Sequence, residues 1–137
     1  MPNMTDQARV AAIVNAILAG AASPAWPTGL RLRLMTAQGS NTTNGTEATA
    51  ANCPGYTPGG VAITFGSNSA GTSTSTNTQT WTATAAWATI AAGEVWDIAA
   101  TALRWLQGAL SANISGVSTG DTIQFPPGAV TANAAAW

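Results

Sequence analysis

The sequence contains no histidine and no lysine, and Cys53 is its one cysteine among 137 residues. A Ser-His-Asp triad needs a histidine base, and a catalytic cysteine usually needs one as well. A lone cysteine cannot form an intrachain disulfide or a cysteine-rich zinc site, so we interpret Cys53 as a small buried thiol. These absences argue against most forms of catalysis, and we predict no enzymatic activity, no cofactor and no metal site.

Charge is equally scarce, since charged residues make up 7% of the chain and the formal net charge is −1. A typical soluble domain carries about 25% charged residues. Four arginines are too few for a phosphate-binding patch, so we predict no nucleic-acid partner. No apolar run approaches the ~18 residues that indicate a membrane span. A surface of Thr, Ser, Asn, Ala and Gly favours permanent contact with other subunits over a free monomer.

The N-terminal segment has the pattern of one amphipathic helix, Thr5 to Ala19. Thr5 can cap its first turn, and Gly20 can end it. Its apolar stripe, together with one tryptophan at the helix exit and one at the chain end, is the predicted interface with a partner protein or with other subunits. These interface residues are Val10, Ile13, Val14, Ile17, Leu18, Trp26 and Trp137. We therefore divide the chain into a helix and linker arm, residues 1–27, and a β domain, residues 28–137.

From Leu30 onward the hydrophobic period changes from helical to two, which is typical of strands. In LRLRL, residues 30–34, the leucines share one face and the arginines the other. ALRWLQGAL, residues 102–110, fits a strand or a helix, and its neighbours favour the strand. Short segments separated by turn residues predict an antiparallel β-sandwich, jelly-roll-like, with one N-terminal amphipathic helix. The further predicted strands are 61–65, 80–84, 86–90, 95–100, 102–109, 113–117, 122–125 and 129–132.

Two acidic residues, Glu94 and Asp97, lie close enough in sequence to suggest a carboxylate pair. Residues three apart in a strand point to opposite faces, which argues against the pair that hydrolysis requires; a meeting of the two across a turn stays open. We interpret them as a solvated turn residue and a strand-end partner for Arg104.

The stretch QTWTATAAWATIAAGEVWDI, residues 79–98, places three tryptophans among small residues. Exposed rings at Trp81 and Trp87 would form a possible glycan platform. Rings at Trp96 and Trp105 lie in segments dense with aliphatic residues, which is typical of a core where large and small side chains alternate. The sequence favours core or subunit interface over a glycan platform and leaves both open.

The order of segments resembles small virion structural proteins of tailed bacteriophages, common in actinobacterial phages and often labelled as tail fibre, minor structural or capsid decoration proteins. The resemblance covers most of residues 28–131. The matching positions are Gly45-Thr46-Glu47, Gly55-Tyr56, Phe65-Gly66, Trp87, Trp96-Asp97, Gly108-Ala109-Leu110 and Gly120-Asp121-Thr122.

The resemblance implies a non-enzymatic virion protein, assembled in the host bacterial cytoplasm. The favoured hypothesis is a capsid decoration protein that binds the assembled head and stabilises it by mass action. Its expected partners are the phage major capsid protein and copies of itself, with a trimer favoured. One alternative is a tail fibre or minor tail subunit that contacts the host. Another is a carbohydrate-binding module that uses Trp81 and Trp87.

Overall fold

The computed structural model of the chain describes residues 15–16, 18–20, 27 and 29–133. This part contains nine strands and no complete helix, and every strand pair is antiparallel. The prediction of a mainly β chain with antiparallel sheets is therefore confirmed. The predicted helix lies mostly outside the described residues and is not supported. Within it, the amide of Ala19 donates to the carbonyl of Asn15 at 2.9 Å.

The strands follow one another along the chain with turns and irregular loops between them. They are β1 Leu30–Ala37, β2 Thr46–Glu47, β3 Val61–Ala62, β4 Thr72–Thr74, β5 Gln79–Thr82, β6 Ile90–Asp97, β7 Arg104–Ile114, β8 Thr122–Phe125 and β9 Thr131–Asn133.

The main sheet has five strands, with β1 and β6 at its centre. β1 pairs with β6 over six positions, from Leu30 opposite Asp97 to Met35 opposite Ala92. β7 continues the sheet beyond β6, and the short strands β2 and β3 both pair with the other edge of β1. The two central strands are therefore hydrogen-bonded on both sides, which fixes the register of the side chains they carry.

Two further ladders, β4 with β9 and β5 with β8, join segments that are distant in sequence. The hydrophobic core links Leu32 and Leu34 of β1 to Trp81 of β5 and Ile123 of β8. One face of the main sheet thus packs against the β5–β8 ladder. The jelly-roll-like sandwich and the domain boundary after residue 27 stay predictions.

The alternation predicted for residues 30–34 is confirmed, because Leu32 and Leu34 are buried and Arg31 is exposed. The strand interpretation of residues 102–110 is confirmed as well, since β7 begins at Arg104.

The strand predicted over residues 86–90 is wrong, since β6 begins only at Ile90. The amide of Trp87 donates to the carbonyl of Val117 at 3.2 Å, while the next amide, of Ala88, donates to Asn52 at 2.8 Å. Consecutive amides are therefore bonded to two separate loops, and no ladder forms. The apolar Trp87 and Ile90 among small residues imitate a strand here, because both side chains are buried without strand pairing at Trp87.

Candidate functional site

The second face of the main sheet is polar, although much of it is buried. Along β1, Arg33 lies between the core residues Leu32 and Leu34 and points away from the core. Arg33 is paired in register with Glu94 of β6, and Glu94 is paired with Gln107 of β7. A row of polar side chains therefore crosses three strands on this face.

A buried ion pair lies at the centre of this polar face. Arg104 Nη1 donates to Glu94 Oε1 at 3.0 Å, and the two side chains are 3% and 1% exposed. Glu94 Oε1 also accepts the amide of Gly45 at 2.7 Å, and Oε2 accepts the indole of Trp96 at 2.9 Å. Both carboxylate oxygens therefore carry strong donors, which is the condition under which a buried charge is tolerated.

The arginine of this pair also holds the loop that follows β1, residues 38–45, which we call the clamped loop. Arg104 donates to the carbonyl of Ser40 at 2.6 Å and to the carbonyl of Thr43 at 2.9 Å. Gln107 adds a bond of 3.3 Å to the side chain of Asn41. Side chains of the sheet thus hold the backbone of a loop that has no strand partner at these positions.

A second polar cluster surrounds Tyr56, at the edge of the core. Its hydroxyl donates to Glu47 Oε1 at 2.8 Å and accepts the amide of Leu34 at 3.2 Å. Glu47 also accepts the amide of Gly59 at 2.7 Å and pairs with Arg33 at 3.3 Å. The cluster joins β1 and β2 to the 53–60 turn region, and it satisfies the polar atom of a tyrosine that is only 3% exposed.

The Tyr56 hydroxyl is expected to resist ionisation in the folded chain. Burial raises the pKa of Tyr56 well above its ordinary value of 10.0, and the neighbouring Glu47 raises it further. Because the folded chain keeps this proton where the unfolded chain releases it, stability is lost as the pH rises above about 10. Tyr56 is the one tyrosine in the sequence, so ultraviolet absorbance of the phenolate reports on it alone.

We expect no phenolate signal from the native chain near pH 10, and a normal titration in concentrated urea. Tyr56→Phe should lose this part of the alkaline destabilisation. A native titration near pH 10 would contradict the burial of the hydroxyl.

The tryptophans considered for a glycan platform lie in the core. Trp81 and Trp87 are 3% and 7% exposed. Trp81 stacks on Tyr56 with centroids 6.1 Å apart and meets Phe125 edge-on at 6.2 Å. Trp87 contacts Tyr56 edge-on at 6.3 Å and donates its indole hydrogen to the carbonyl of Pro54 at 2.7 Å. This placement favours the core alternative, since a glycan platform needs exposed ring faces; glycan binding itself stays untested.

For Trp96 and Trp105 the sequence favours core or subunit interface, and both rings are half-buried. The guanidinium of Arg33 lies 4.5 Å from the centroid of the Trp96 ring, a cation–π contact. The indole of Trp105 donates to Asp97 Oδ2 at 2.9 Å. These two rings lie against ionic groups of the sheet and outside the hydrophobic core cluster, so the core alternative was wrong for them and the subunit-interface alternative stays a prediction.

The interpretation of Glu94 as a solvated turn residue was also wrong. Glu94 lies inside β6, is 1% exposed and pairs with Arg104. Asp97 ends β6 and accepts the amides of Ala99 and Leu103 at 3.3 and 2.9 Å. It therefore closes the turn between β6 and β7. Sequence reasoning missed the burial, because a lone glutamate among aliphatic residues carries no local signal of its partner.

Most of the predicted interface cannot be compared with the structure. Leu18 is 80% exposed. The other predicted interface residues lie outside the described residues: Val10, Ile13, Val14, Ile17, Trp26 and Trp137.

The prediction that Cys53 is a buried thiol is confirmed. Burial raises the pKa of this thiol above its ordinary value.

The chemistry available to these clusters is that of hydrogen bonding and packing. Within the described ranges, no three His, Cys, Asp or Glu side chains gather in a way that could hold a metal ion. The described part likewise includes no helix with the length and hydropathy to cross a membrane. The ionisable groups at the centre of the sheet are buried and engaged with one another, so they position backbone.

Comparison with known proteins identifies a family for the chain. A family model described as "Podophage GP4 fiber I protein gp80" matches residues 3–133. No curated protein matches the chain. The match confirms the resemblance to structural proteins of phage virions, and it supports a structural role in the virion. Because it covers nearly the whole sequence, the chain belongs to the Gp80 family of podophage fiber I proteins.

Proposed function

We propose that this chain is a non-enzymatic structural subunit of a phage virion, located in a tail fibre. The observation that carries the proposal is the family match over residues 3–133, whose description names a fibre protein. In this role the chain binds copies of itself, and a trimer is the favoured assembly. It also binds its attachment point on the particle.

The distribution of charge supports a contact role. Among the charged residues that the structure describes, only Arg31 and Asp121 have exposed side chains. The buried pair Glu94–Arg104 and the half-buried pair Arg33–Glu47 keep four charged side chains largely away from solvent. The rest of the described surface is neutral, and a neutral surface opposes neither self-association nor docking by charge repulsion.

A capsid decoration protein is the second candidate, and it draws on the same neutral surface. In that role the chain binds the phage major capsid protein and stabilises the assembled shell by mass action. A compact β domain with few exposed charges suits repeated contacts on a head as well as contacts within a fibre. The location on the particle, and not the fold, separates the two candidates.

Labelled electron microscopy of intact particles tests the location. We expect gold-labelled antibodies against the chain to mark the tail, at the fibres. Label spread over the head would overturn the fibre proposal in favour of capsid decoration, and particles without label would overturn a virion role altogether. A parallel measurement of native mass should give an oligomer, and a lone monomer with no affinity for particles would contradict the contact role.

A further inference from the structure

The clamped loop ends in the sequence's one Asn-Gly pair, Asn44–Gly45. The Asn44 side chain is exposed. An asparagine followed by glycine is prone to deamidation, because the glycine has no side chain to hinder attack of its backbone nitrogen on the asparagine amide carbon. An exposed Asn-Gly pair in a loop is therefore a potential site of spontaneous covalent modification.

The nitrogen that would attack, the backbone nitrogen of Gly45, is hydrogen-bonded to a buried carboxylate. The amide of Gly45 donates to Glu94 Oε1 at 2.7 Å, and Glu94 is 1% exposed. Arg104 holds the same carboxylate oxygen at 3.0 Å. A charge-assisted hydrogen bond is stronger than one between neutral groups. The Gly45 nitrogen is thus tied to the interior of the protein, while the group it would attack faces solvent.

We propose that Asn44–Gly45 is a latent deamidation site that the Glu94 carboxylate protects. Reaction requires the clamped loop to open first, so that the Gly45 nitrogen leaves the carboxylate. The nitrogen then gives its proton to a solvent base and bonds to Cγ of Asn44, and the side-chain amide nitrogen takes up a proton from solvent and leaves as ammonia. Water opens the resulting succinimide ring to aspartate or isoaspartate. None of these steps is an oxidation or a reduction.

The modification opposes closing of the loop. The ring nitrogen of the succinimide carries no hydrogen, so Glu94 lacks this donor until water opens the ring and restores the N–H. The products add a carboxylate at position 44, and isoaspartate also lengthens the backbone by one atom. The space is tight, since a Cβ on Gly45 would lie 2.7 Å from the carbonyl oxygen of Ala37 and 3.0 Å from Glu94 Oε1. The isoaspartate product, whose longer backbone must pass through this space, therefore converts a reversible opening into a permanent one.

Peptide mapping by mass spectrometry tests the protection, following the gain of one mass unit in the peptide after Arg33. We expect Asn44 in the native chain to react at least about tenfold more slowly than in the same chain in urea, because a hydrogen bond to a charged group must break first. Equal rates in the two conditions would overturn the proposal. Asn44→Ser, which cannot deamidate, should lose the signal; a signal that persists would place the reaction elsewhere and overturn the assignment.

A variant without the carboxylate separates the role of Glu94 from that of folding in general. Glu94→Met combined with Arg104→Met removes both charges, and in its folded state Asn44 should react at a rate close to that in urea. Continued protection in the folded double variant would overturn the role of Glu94. If that variant does not fold, hydrogen exchange of the Gly45 amide in the native chain decides: protection supports the proposal, and exchange at the rate of a free peptide overturns it.

The permanent opening has its own measurement. The deamidated protein carries one more negative charge, so ion exchange separates it from the native chain. We expect backbone amides of the clamped loop to exchange at least about tenfold faster in the isoaspartate form. Identical exchange in the two forms would overturn the one-way opening.

Discussion

Arg104→Ala is expected to lower the free energy of unfolding by about 3–5 kcal/mol, the largest effect of any charge substitution in the described part of the chain. The reason is that Glu94, which is 1% exposed, would keep a buried negative charge without its cationic partner. The carbonyls of Ser40 and Thr43 would lose their charged donor at the same time. Urea denaturation monitored by tryptophan fluorescence measures the change.

The second ion pair provides a matched control. In Arg33–Glu47 the side chains are 20% and 25% exposed, so solvent screens the pair. Arg33→Ala should cost about 1–2 kcal/mol, which combines a partly exposed ion pair with the cation–π contact on Trp96.

The double variant Glu94→Met/Arg104→Met distinguishes a lost charge partner from lost packing. Because it leaves no uncompensated charge, it should be more stable than Arg104→Ala. A double variant no more stable than Arg104→Ala would show that the unpaired carboxylate is not the cause.

Trp81→Ala is expected to cost about 3–5 kcal/mol, because it removes a large buried ring from the middle of the core. Trp81 is 3% exposed and lies between Tyr56 and Phe125. The ladder of β5 with β8 carries this ring opposite Ile123, so the cavity would also loosen the contact between the ladder and the main sheet. Thermal or urea unfolding measures the loss.

Ile98→Ala is the control for this substitution, since Ile98 is an aliphatic side chain that is 55% exposed. It should change stability by less than about 1 kcal/mol. An equally small effect of Trp81→Ala, together with loss of glycan binding, would favour the glycan platform over the core alternative. A strongly destabilised Trp81→Ala variant makes any loss of binding uninformative about a glycan site.

The Tyr56 cluster shows how an aromatic residue and a carboxylate together connect otherwise weak elements. β2 and β3 have two residues each and contribute little pairing of their own. The hydroxyl of Tyr56 joins Glu47 of β2 to the backbone of β1 through Leu34. Side-chain hydrogen bonds of this kind hold short edge strands that their ladders alone would leave marginal.

Two features of the fold were predicted correctly from local sequence patterns. The alternation of leucine and arginine in β1 predicted its core face, because a strand places successive side chains on opposite sides. The mainly β character and the antiparallel pairing followed from short segments separated by turn residues. The strand predicted at 86–90 failed by the same logic, since the alternation of Trp87 with small residues reflects burial and not pairing.

The polar face could not be predicted in this way, because its contacts join distant segments. Arg104 and the carbonyl of Thr43 are 61 residues apart in sequence, and Gly45 and Glu94 are 49 apart. Nothing in the residues around Glu94 indicates that a loop from before β2 will cover it. The burial of a charge depends on what packs over it, and the partner is specified elsewhere in the chain.

The sequence by itself determined that this protein is a poorly charged, mainly β chain without histidine or lysine, and its order of motifs indicated the phage structural family. The tertiary structure decided where its few charges and tryptophans lie. It placed Glu94 and Arg104 beneath the clamped loop, Trp81 and Trp87 in the core, and Trp96 against the ionic groups. Composition and period act locally along the chain, whereas burial of a charge or a ring follows from the register of strands and the docking of loops that only the folded chain brings together.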